Sequence, residues 1–178
     1  RYVTGVLAND RISISADRGK VLGMLGENGA GKTTLMNILS GLYKPDSGSI
    51  FIDGTERVFN DPVAAIQAGV GMVHQHFMLV PVLDVVEAVA LGAETVTGPL
   101  ATFDRAAARK RIVELSEQYK LDVDPDAKIE NLPVGVRQRV EILKALYRHS
   151  DILVLDEPSA VLTPYETAEL YAIIRSLA

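Results

Sequence analysis

The 178-residue sequence contains no cysteine, so it carries neither a disulfide framework nor a thiolate metal site. It also lacks an apolar run approaching the roughly 20 residues that cross a bilayer. The most apolar region, residues 80–93, is interrupted by Pro81, Asp84 and Glu87. The first residues do not have the charged and then apolar pattern of a secretory signal. We therefore expect any association with a membrane to depend on a partner.

An excess of positive charge is absent as well. The chain has 18 basic and 23 acidic side chains and a net charge of −5, which argues against nucleic-acid binding through a basic surface. The basic cluster within residues 105–111 is followed closely by Glu114 and Glu117, and this mixture is typical of a solvated helix face. What the sequence does have is 48% hydrophobic residues, enough for a substantial core in one full-sized domain.

The segment GENGAGKTT, residues 26–34, matches the phosphate-binding pattern G-x-x-x-x-G-K-[ST]. The apolar run 21–25 before it predicts a short buried strand, and the spacing after it predicts a helix from Thr34 to Leu42. Glycines let consecutive N–H groups turn toward a polyphosphate at the start of a helix, where the helix dipole favours an anion. The predicted nucleotide-binding residues are Gly26, Asn28, Gly29, Ala30, Gly31, Lys32, Thr33 and Thr34. Among them, Lys32 would reach the β and γ phosphates and the Thr33 hydroxyl would bind Mg²⁺.

The flanking pattern predicts an α/β fold. Residues 11–16 and 20–25 are predicted strands joined by a turn at 17–19, and residues 50–52 form a further strand before the turn Asp53-Gly54. A short helix is expected from Asp61 to about Ala68, and a buried strand at 69–73. Residues 152–155 are all apolar, as in a parallel strand buried on both faces.

Residues 77–149 show no strand pattern and interrupt this core with helices. Two amphipathic helices are predicted from apolar residues that repeat at i, i+4, i+7 and i+11. Their apolar positions are Ala108, Ile112, Leu115 and Tyr119 in the first and Val136, Val140, Leu143 and Tyr147 in the second. After the last strand, Thr163, Pro164 and Glu166 have the spacing of a helix start with a capping box.

Two carboxylates follow the apolar run 152–155. Asp156 and Glu157 would emerge at the C-terminal end of a parallel strand, where such sheets bind their ligands. Asp156 would hold Mg²⁺ through water, and Glu157 would polarise the attacking water of an in-line phosphoryl transfer. Alone, the pair is also compatible with a carboxylate that precedes a helix. Together with the phosphate loop, it favours nucleotide hydrolysis.

The segments GENGAGKTT, HQH, LPVGVRQR and ILVLDEPSAVLTP, in this order, resemble the ATP-binding subunits of ABC transporters. The wording GMVHQHFMLVPVLDVVEAVALG is most similar to the bacterial importers of simple sugars and nucleosides. The resemblance covers essentially the whole chain. It implies a P-loop NTPase with a RecA-like ABC ATPase core at residues 1–75 and 150–178 and an inserted helical signature subdomain at 76–149. It also implies that the protein is an ATPase that uses ATP and Mg²⁺ to power import of a small solute.

The resemblance implies further site residues. Gln75 corresponds to the Q-loop glutamine, which contacts Mg²⁺ and the attacking water, and Tyr2 to the aromatic that stacks on adenine. The signature segment LSGGQ, or LSVGE in the sugar group, is LPVGV here. Pro133 lacks the family serine's hydroxyl and has no N–H, whereas Gly135 is expected to keep its N–H free for the phosphate held by an opposing domain. The segment 159–162 lacks the common aspartate, so the composite site is expected to be weakened.

The implied partners are a second ABC ATP-binding domain, as a homodimer or a fused half, transmembrane permease subunits and, indirectly, an extracytoplasmic solute-binding protein. Nucleic acid is not among them. The implied location is peripheral, at the cytoplasmic face of the cell membrane. Candidates for the permease-contacting edge are Gln75, Phe77, Met78 and Leu79. Burial of these residues inside the helical subdomain is the alternative.

We expect the chain to be a fragment, since it begins at Arg1 rather than Met and its last helical pattern runs to Ala178 without a cap. All three histidines precede Glu157, so the family's switch histidine is expected beyond Ala178, with poor turnover by the fragment alone. Two alternatives stay open: a soluble ABC ATPase that acts on ribosomes or DNA, and a degenerate half that binds ATP with little hydrolysis. The missing N-K-x-D pattern disfavours a GTPase, and nothing in the sequence identifies the solute.

Overall fold

The computed structural model describes residues 7–74, 78–94, 96–97 and 102–178. The helices are α1 (Lys32–Leu39), α2 (Pro62–Gln67), α3 (Val85–Ala90), α4 (Arg105–Gln118), α5 (Val134–Tyr147) and α6 (Pro164–Leu177). The strands are β1 (Ile50–Ile52), β2 (Thr55–Arg57), β3 (Val70–Val73), β4 (Val96–Thr97), β5 (Thr102–Phe103) and β6 (Ile152–Leu155). Among the residues that the structure describes, no helix combines the length and apolar character that a membrane span requires.

Strands β3 and β6 form a parallel pair that positions the acidic end of β6. Their register places Val70 opposite Ile152 and Val73 opposite Leu155. The Asp156 N–H extends the pairing by donating to the Val73 carbonyl over 3.1 Å. Val70 and Val73 are buried, as expected for the face of a parallel pair. Both predicted strands are confirmed, and the register fixes Asp156 at the C-terminal edge. The expected burial of 152–155 on both faces is wrong, because Ile152 is 40% exposed and the other three residues of β6 are only partly buried.

The hairpin β1–β2 closes through Asp53 and Gly54, which have φ angles of 50° and 74°. Two successive left-handed residues suit a two-residue hairpin turn. Arg18, in the predicted turn at 17–19, donates to both carboxylate oxygens of Asp53 over 3.1 and 2.6 Å. This contact lowers the pKa of Asp53. An exposed ion pair therefore ties the earlier turn to the hairpin.

The predicted strands at 11–16 and 20–25 are not formed. These residues form no strand on either side of the turn at Gly19, and no described strand pairs with them. The expected burial of the run 21–25 is also wrong, because Val21, Leu22 and Leu25 are 60%, 50% and 100% exposed. An apolar alternating pattern shows that a segment is able to join a sheet, but the ladder requires a neighbour at hydrogen-bonding distance.

Helix α1 ends earlier than predicted, at Leu39 rather than Leu42. The Ser40 N–H still reaches the Met36 carbonyl over 2.9 Å, but Gly41 then adopts a φ of 76° and ends the helix. A side chain at Gly41 would collide with the backbone of Asp61, at the start of α2. The Asp61 side chain caps α2 by accepting the Ala64 N–H over 2.8 Å, which confirms the predicted helix start.

The largest hydrophobic core lies where α3, α4 and α5 pack together. The two predicted amphipathic helices are confirmed, with Ile112 of α4 and Val140 and Leu143 of α5 fully buried. Helix α3 was not predicted, although Asp84 and Glu87 form its capping box and are visible in the sequence. Its fully buried members in this core are Val85, Val86 and Val89.

The prediction that residues 77–149 contain no strand is wrong in one place. Strands β4 and β5 form an antiparallel ladder, with Val96 opposite Phe103 and Thr97 opposite Thr102. Two residues per strand are too few to produce a readable alternation of apolar and polar positions. The basic face of α4 is solvated, as expected, and Arg109 pairs there with Asp126 over 2.6 Å.

Helices α5 and α6 begin at adjoining ends. α6 has the predicted capping box: the Thr163 side chain accepts the Glu166 N–H, and the Glu166 side chain accepts the Thr163 N–H. Arg139 of α5 forms an ion pair with Glu169 of α6 over 2.8 Å and donates to the Leu121 carbonyl over 3.2 Å. These contacts hold the start of α6 beside the first turns of α5.

Candidate functional site

The loop 26–31 makes a tight turn immediately before α1. Gly29 and Gly31 have φ angles of 84° and 88°, a region that favours glycine. The Ala30 N–H closes the turn on the Glu27 carbonyl over 3.2 Å. Asn28 is exposed at the tip. The glycines thus serve the backbone geometry that the phosphate-loop pattern predicts.

Gly31 is held by the segment that precedes the predicted strands. The Asn9 side-chain amide donates to the Gly31 carbonyl over 3.2 Å, and the Leu35 N–H donates to the same carbonyl over 3.0 Å. A Cβ at Gly31 would collide with the Ala8 carbonyl and the Asn9 amide nitrogen. Only glycine fits here, because the positive φ disfavours other residues and because there is no space for a side chain. Asn9 belongs to no motif, so this contact could not be predicted from the sequence.

The Lys32 ammonium lies within the curve of the loop. Its Nζ donates to the Gly26 carbonyl over 2.6 Å and to the Glu27 carbonyl over 2.9 Å. An ammonium has three N–H donors, so these two bonds leave one for a further acceptor. Lys32 therefore fixes the shape of the loop and at the same time places a positive charge at the start of α1.

The hydroxyl of Thr33 meets the acidic end of β6. Thr33 Oγ1 donates to Asp156 Oδ1 over 3.3 Å, although the residues are 123 positions apart in sequence. Asp156 is 4% exposed, whereas Glu157 beside it is exposed and has a φ of 46°. A left-handed conformation is uncommon for glutamate and marks a sharp change of direction after β6. The two carboxylates therefore follow the same strand, but that of Asp156 is buried and that of Glu157 is exposed to solvent.

A broad cleft of about 2640 Å³ opens beside these groups. Lys32, Thr34, Asp156 and Glu157 line one part of it, and residues 7–24 line another. Small-molecule pockets usually enclose about 300–1,000 Å³, so this is an open cleft rather than a fitted pocket. Of the motif 26–34, the residues that line this cleft are Lys32 and Thr34.

The signature segment is less accessible than expected. Gly135, the second residue of α5, is buried, and the Glu166 carboxylate of α6 lies close to it. A Cβ at Gly135 would lie 2.6 Å from Glu166 Oε1. A side chain from α6 therefore lies where Gly135 was expected to face a phosphate, and the role of Gly135 stays a prediction. Glu166 is visible in the sequence as a helix cap, but its contact with α5 arises only in the tertiary structure.

Tyr2 and Gln75 lie outside the described residues, as does Phe77, so their predicted roles stay predictions. Of the other two candidates for a permease edge, Met78 is 66% exposed. Leu79 is partly buried and packs against the helical core, which is the alternative for that residue. The Met78 N–H donates to Glu141 Oε1 over 2.7 Å and ties this segment to α5.

A protein-family model described as ABC transporter matches residues 9–160. Among curated proteins, the nucleoside import ATP-binding protein NupA of Lactococcus lactis is 50% identical over 96% of this chain and 33% of its own length. The glucose import ATP-binding protein TsgD13 of Haloferax volcanii is 46% identical over 97% of this chain and 36% of its own length. The chain thus spans about a third of the length of the curated relatives it matches.

The fold has a solved counterpart. CbiO1 from Clostridium perfringens, part of the ABC transporter complex CbiONQ, superposes with a TM-score of 0.82 at 28% identity. The superposition covers 99% of this chain and 69% of that chain. The expected α/β fold of a P-loop ATPase cassette is confirmed by this likeness.

Proposed function

Because the chain belongs to the ABC transporter family, we propose that it binds ATP at the loop 26–34 and hydrolyses it with the carboxylates after β6. In this proposal the N–H groups of the loop and the Lys32 ammonium hold the phosphates. Glu157 orients and polarises the attacking water, and Gln75 assists it. Tyr2 stacks on the adenine ring.

The contact between Thr33 and Asp156 carries this proposal. It places a hydroxyl from the start of α1 and a buried carboxylate from the end of β6 within 3.3 Å of each other. A phosphate loop and the acidic end of a strand can act on the same nucleotide only if they lie close together. The contact between Thr33 and Asp156 brings them close. Both groups offer oxygen atoms, which Mg²⁺ prefers.

The same two residues fit the metal ion that ATP chemistry requires. Thr33 would ligate Mg²⁺ directly and Asp156 through water. When bound, the ion would neutralise charge that develops on the phosphates. The protein's own part is to hold these oxygens in place within hydrogen-bond reach of each other.

For the whole protein, we propose that ATP hydrolysis powers the import of a sugar or nucleoside through a membrane permease. The names of the relatives support both solute classes, since NupA is a nucleoside import protein and TsgD13 a glucose import protein. The proposed partners are a second ATP-binding domain, the permease and, through it, a solute-binding protein. The exposed Met78 is a candidate for the permease-facing edge, and the proposed location is the cytoplasmic face of the membrane.

A degenerate half that binds ATP with little turnover is the second candidate. It is favoured by Pro133 at the start of α5 and by the Glu166 carboxylate that lies close to Gly135. Both features weaken the end of α5 that would complete the site of an opposing domain. They do not touch the loop 26–34, so ATP binding there is common to both candidates.

Equilibrium binding of Mg-ATP, followed with a fluorescent ATP analogue, tests the proposal. Lys32→Ala should weaken binding at least about tenfold, because a hydrogen bond to a charged group contributes about 1.5–3 kcal/mol. Lys110→Ala, which removes an exposed ammonium from α4, is the matched control and should bind like the parent protein. Glu157→Gln should keep binding and lose turnover. Equal binding by the Lys32 and Lys110 variants would refute the proposal.

A further inference from the structure

The Asn9 side chain reaches the phosphate loop from a segment outside the motif. Its Nδ2 donates to the Gly31 carbonyl over 3.2 Å, although the two residues are 22 positions apart in sequence. The backbone comes equally close, because the Ala8 carbonyl occupies the space that a Cβ at Gly31 would need. The amide therefore belongs to a packed junction between two backbones, in which it has little freedom to turn away from Gly31.

The other polar atom of this amide, Asn9 Oδ1, is buried and has no hydrogen-bond partner among the residues that the structure describes. A buried acceptor without a donor is costly, so a side chain that only filled this space would serve better as leucine. If Nδ2 and Oδ1 exchanged places, Oδ1 would face the Gly31 carbonyl oxygen, and two acceptors would repel each other. The hydrogen bond to Gly31 is thus what an asparagine contributes at this position.

The Gly31 carbonyl belongs to the same peptide group as the Lys32 N–H. In this trans peptide the two bonds lie in one plane and point in opposite directions. Asn9 and the Leu35 N–H, at 3.2 and 3.0 Å, both hold the carbonyl, so they also fix the direction of the Lys32 N–H. Lys32 is the first residue of α1, where an N–H has no acceptor within the helix and is able to bind a phosphate.

We propose that Asn9 is a positioning residue for the phosphate loop: by donating to the Gly31 carbonyl, it orients the Lys32 N–H toward the phosphates of the bound nucleotide. The inference rests on the proposed function, in which the N–H groups of the loop hold these phosphates. Asn9 does not touch the reacting atoms and acts only through the peptide group of Gly31 and Lys32. Its effect therefore falls on the affinity for phosphate and does not depend on the adenosine part of the ligand.

Asn9→Leu separates this role from a purely structural one. Leucine has nearly the same size but no donor, and the Gly31 carbonyl keeps its bond from the Leu35 N–H. The unpaired Oδ1 is removed as well, so the free energy of unfolding in urea should change little. Asn60→Leu is the matched control, because it makes the same substitution at an exposed position that does not line the cleft. The probes are Mg-ATP and inorganic tripolyphosphate, each displacing a fluorescent ATP analogue from the full chain.

We expect Asn9→Leu to weaken the binding of both probes by the same factor, about threefold to tenfold, which is the range for the loss of one neutral hydrogen bond. Asn60→Leu should bind both probes like the parent chain. Asn9→Asp keeps the shape of the side chain but has only acceptor oxygens when ionised, and its charge repels phosphate. It should bind both probes more weakly than Asn9→Leu, and it provides the same comparison if the leucine variant does not fold.

Three results would overturn the inference: unchanged affinity in the Asn9 variants, a loss of affinity for ATP but not for tripolyphosphate, or weaker binding that appears only where the variant is partly unfolded. Lys32→Ala, measured alongside, tests the proposed function separately. If Lys32→Ala binds both probes like the parent chain, the proposed function and the inference both fail. If Lys32→Ala weakens binding and the Asn9 variants do not, only the inference fails.

Discussion

The Thr33 hydroxyl donates to Asp156 Oδ1 over 3.3 Å and so joins the start of α1 to the end of β6. The parallel register of β3 and β6 makes this contact possible, because it fixes Asp156 beside Val73 at the strand edge. Asp156 is almost fully buried there. A small number of backbone hydrogen bonds thus decides where the Asp156 carboxylate meets the Thr33 hydroxyl.

Replacing Thr33 by valine should remove the Mg²⁺-dependent part of ATP binding. Valine has nearly the same shape but no hydroxyl, and the lost interaction with a charged partner is worth about 1.5–3 kcal/mol, or roughly tenfold or more in affinity. Thr33→Ser keeps the hydroxyl and should bind nearly as the parent does. ATP titrations with Mg²⁺ and with a chelator measure the difference. If Thr33→Val still gains affinity from Mg²⁺, this hydroxyl is not a metal ligand.

Gly31→Ala should destabilise the loop and abolish ATP binding. Its φ of 88° is unfavourable for alanine, and the added Cβ would collide with the Ala8 carbonyl. We expect a loss of about 1–3 kcal/mol in the free energy of unfolding, measured in urea. Gly23→Ala is the control, since its Cβ would meet no atom within 4 Å. It should change stability by no more than about 0.5 kcal/mol. Similar losses in both variants would contradict the steric argument.

Glu141→Ala should loosen the segment that begins at Met78. The buried carboxylate accepts the Met78 N–H over 2.7 Å, and alanine would leave that N–H without its acceptor. The expected cost is about 1–3 kcal/mol in the free energy of unfolding. Glu141→Gln keeps an acceptor oxygen and should cost less. Amide hydrogen exchange at Met78 should quicken in the alanine variant, and unchanged protection would show that the contact does not hold the segment.

The ion pair between Arg109 and Asp126 should stabilise the fold near neutral pH and stop doing so in acid. The Arg109 guanidinium lowers the pKa of Asp126 in the folded state. A carboxyl with a lowered folded pKa contributes stability above its unfolded pKa of about 3.9, and this contribution is lost as the pH falls through the folded value.

Asp126→Asn is the variant that tests this pH dependence. It should be less stable than the parent at about pH 7, and the gap should narrow as the pH falls below about 3.9 and through the lowered folded pKa of Asp126. Urea unfolding at a series of pH values measures the gap. A gap that stays constant with pH would show that hydrogen bonding or packing, not charge, accounts for the effect of the substitution.

Local features of the fold could be predicted from the sequence. The periodicity of α4 and α5, the capping box of α6 and the Asp61 start of α2 depend on residues within one or two turns of each other. Helix α3 carries the same kind of signal in Asp84 and Glu87, but five of its six residues are buried, so no stripe of apolar and polar residues marks it as a helix. Site residues were likewise predictable where a contiguous motif, such as GENGAGKTT, names them.

The segments whose structure was predicted wrongly or missed depend on contacts with distant parts of the chain. Val21 to Leu25 have the composition of a strand, but a strand is formed only when a second strand lies beside it to share hydrogen bonds. The residue types of one segment do not show whether such a partner strand is present. The ladder of β4 and β5 is too short to leave a pattern. Asn9 was missed for the same reason, because its contact with Gly31 links two segments that no motif joins.

The sequence by itself determined the chemistry of the loop 26–34, the identity of the carboxylates after β6 and the helices of the insertion. These properties follow from residue type and local spacing, since glycine φ preferences, capping and helical periodicity act over a few residues. Only the tertiary structure decided that Thr33 meets Asp156 and that Glu166 covers Gly135. Both contacts join residues far apart in sequence, and their geometry depends on how strands and helices pack rather than on any local preference.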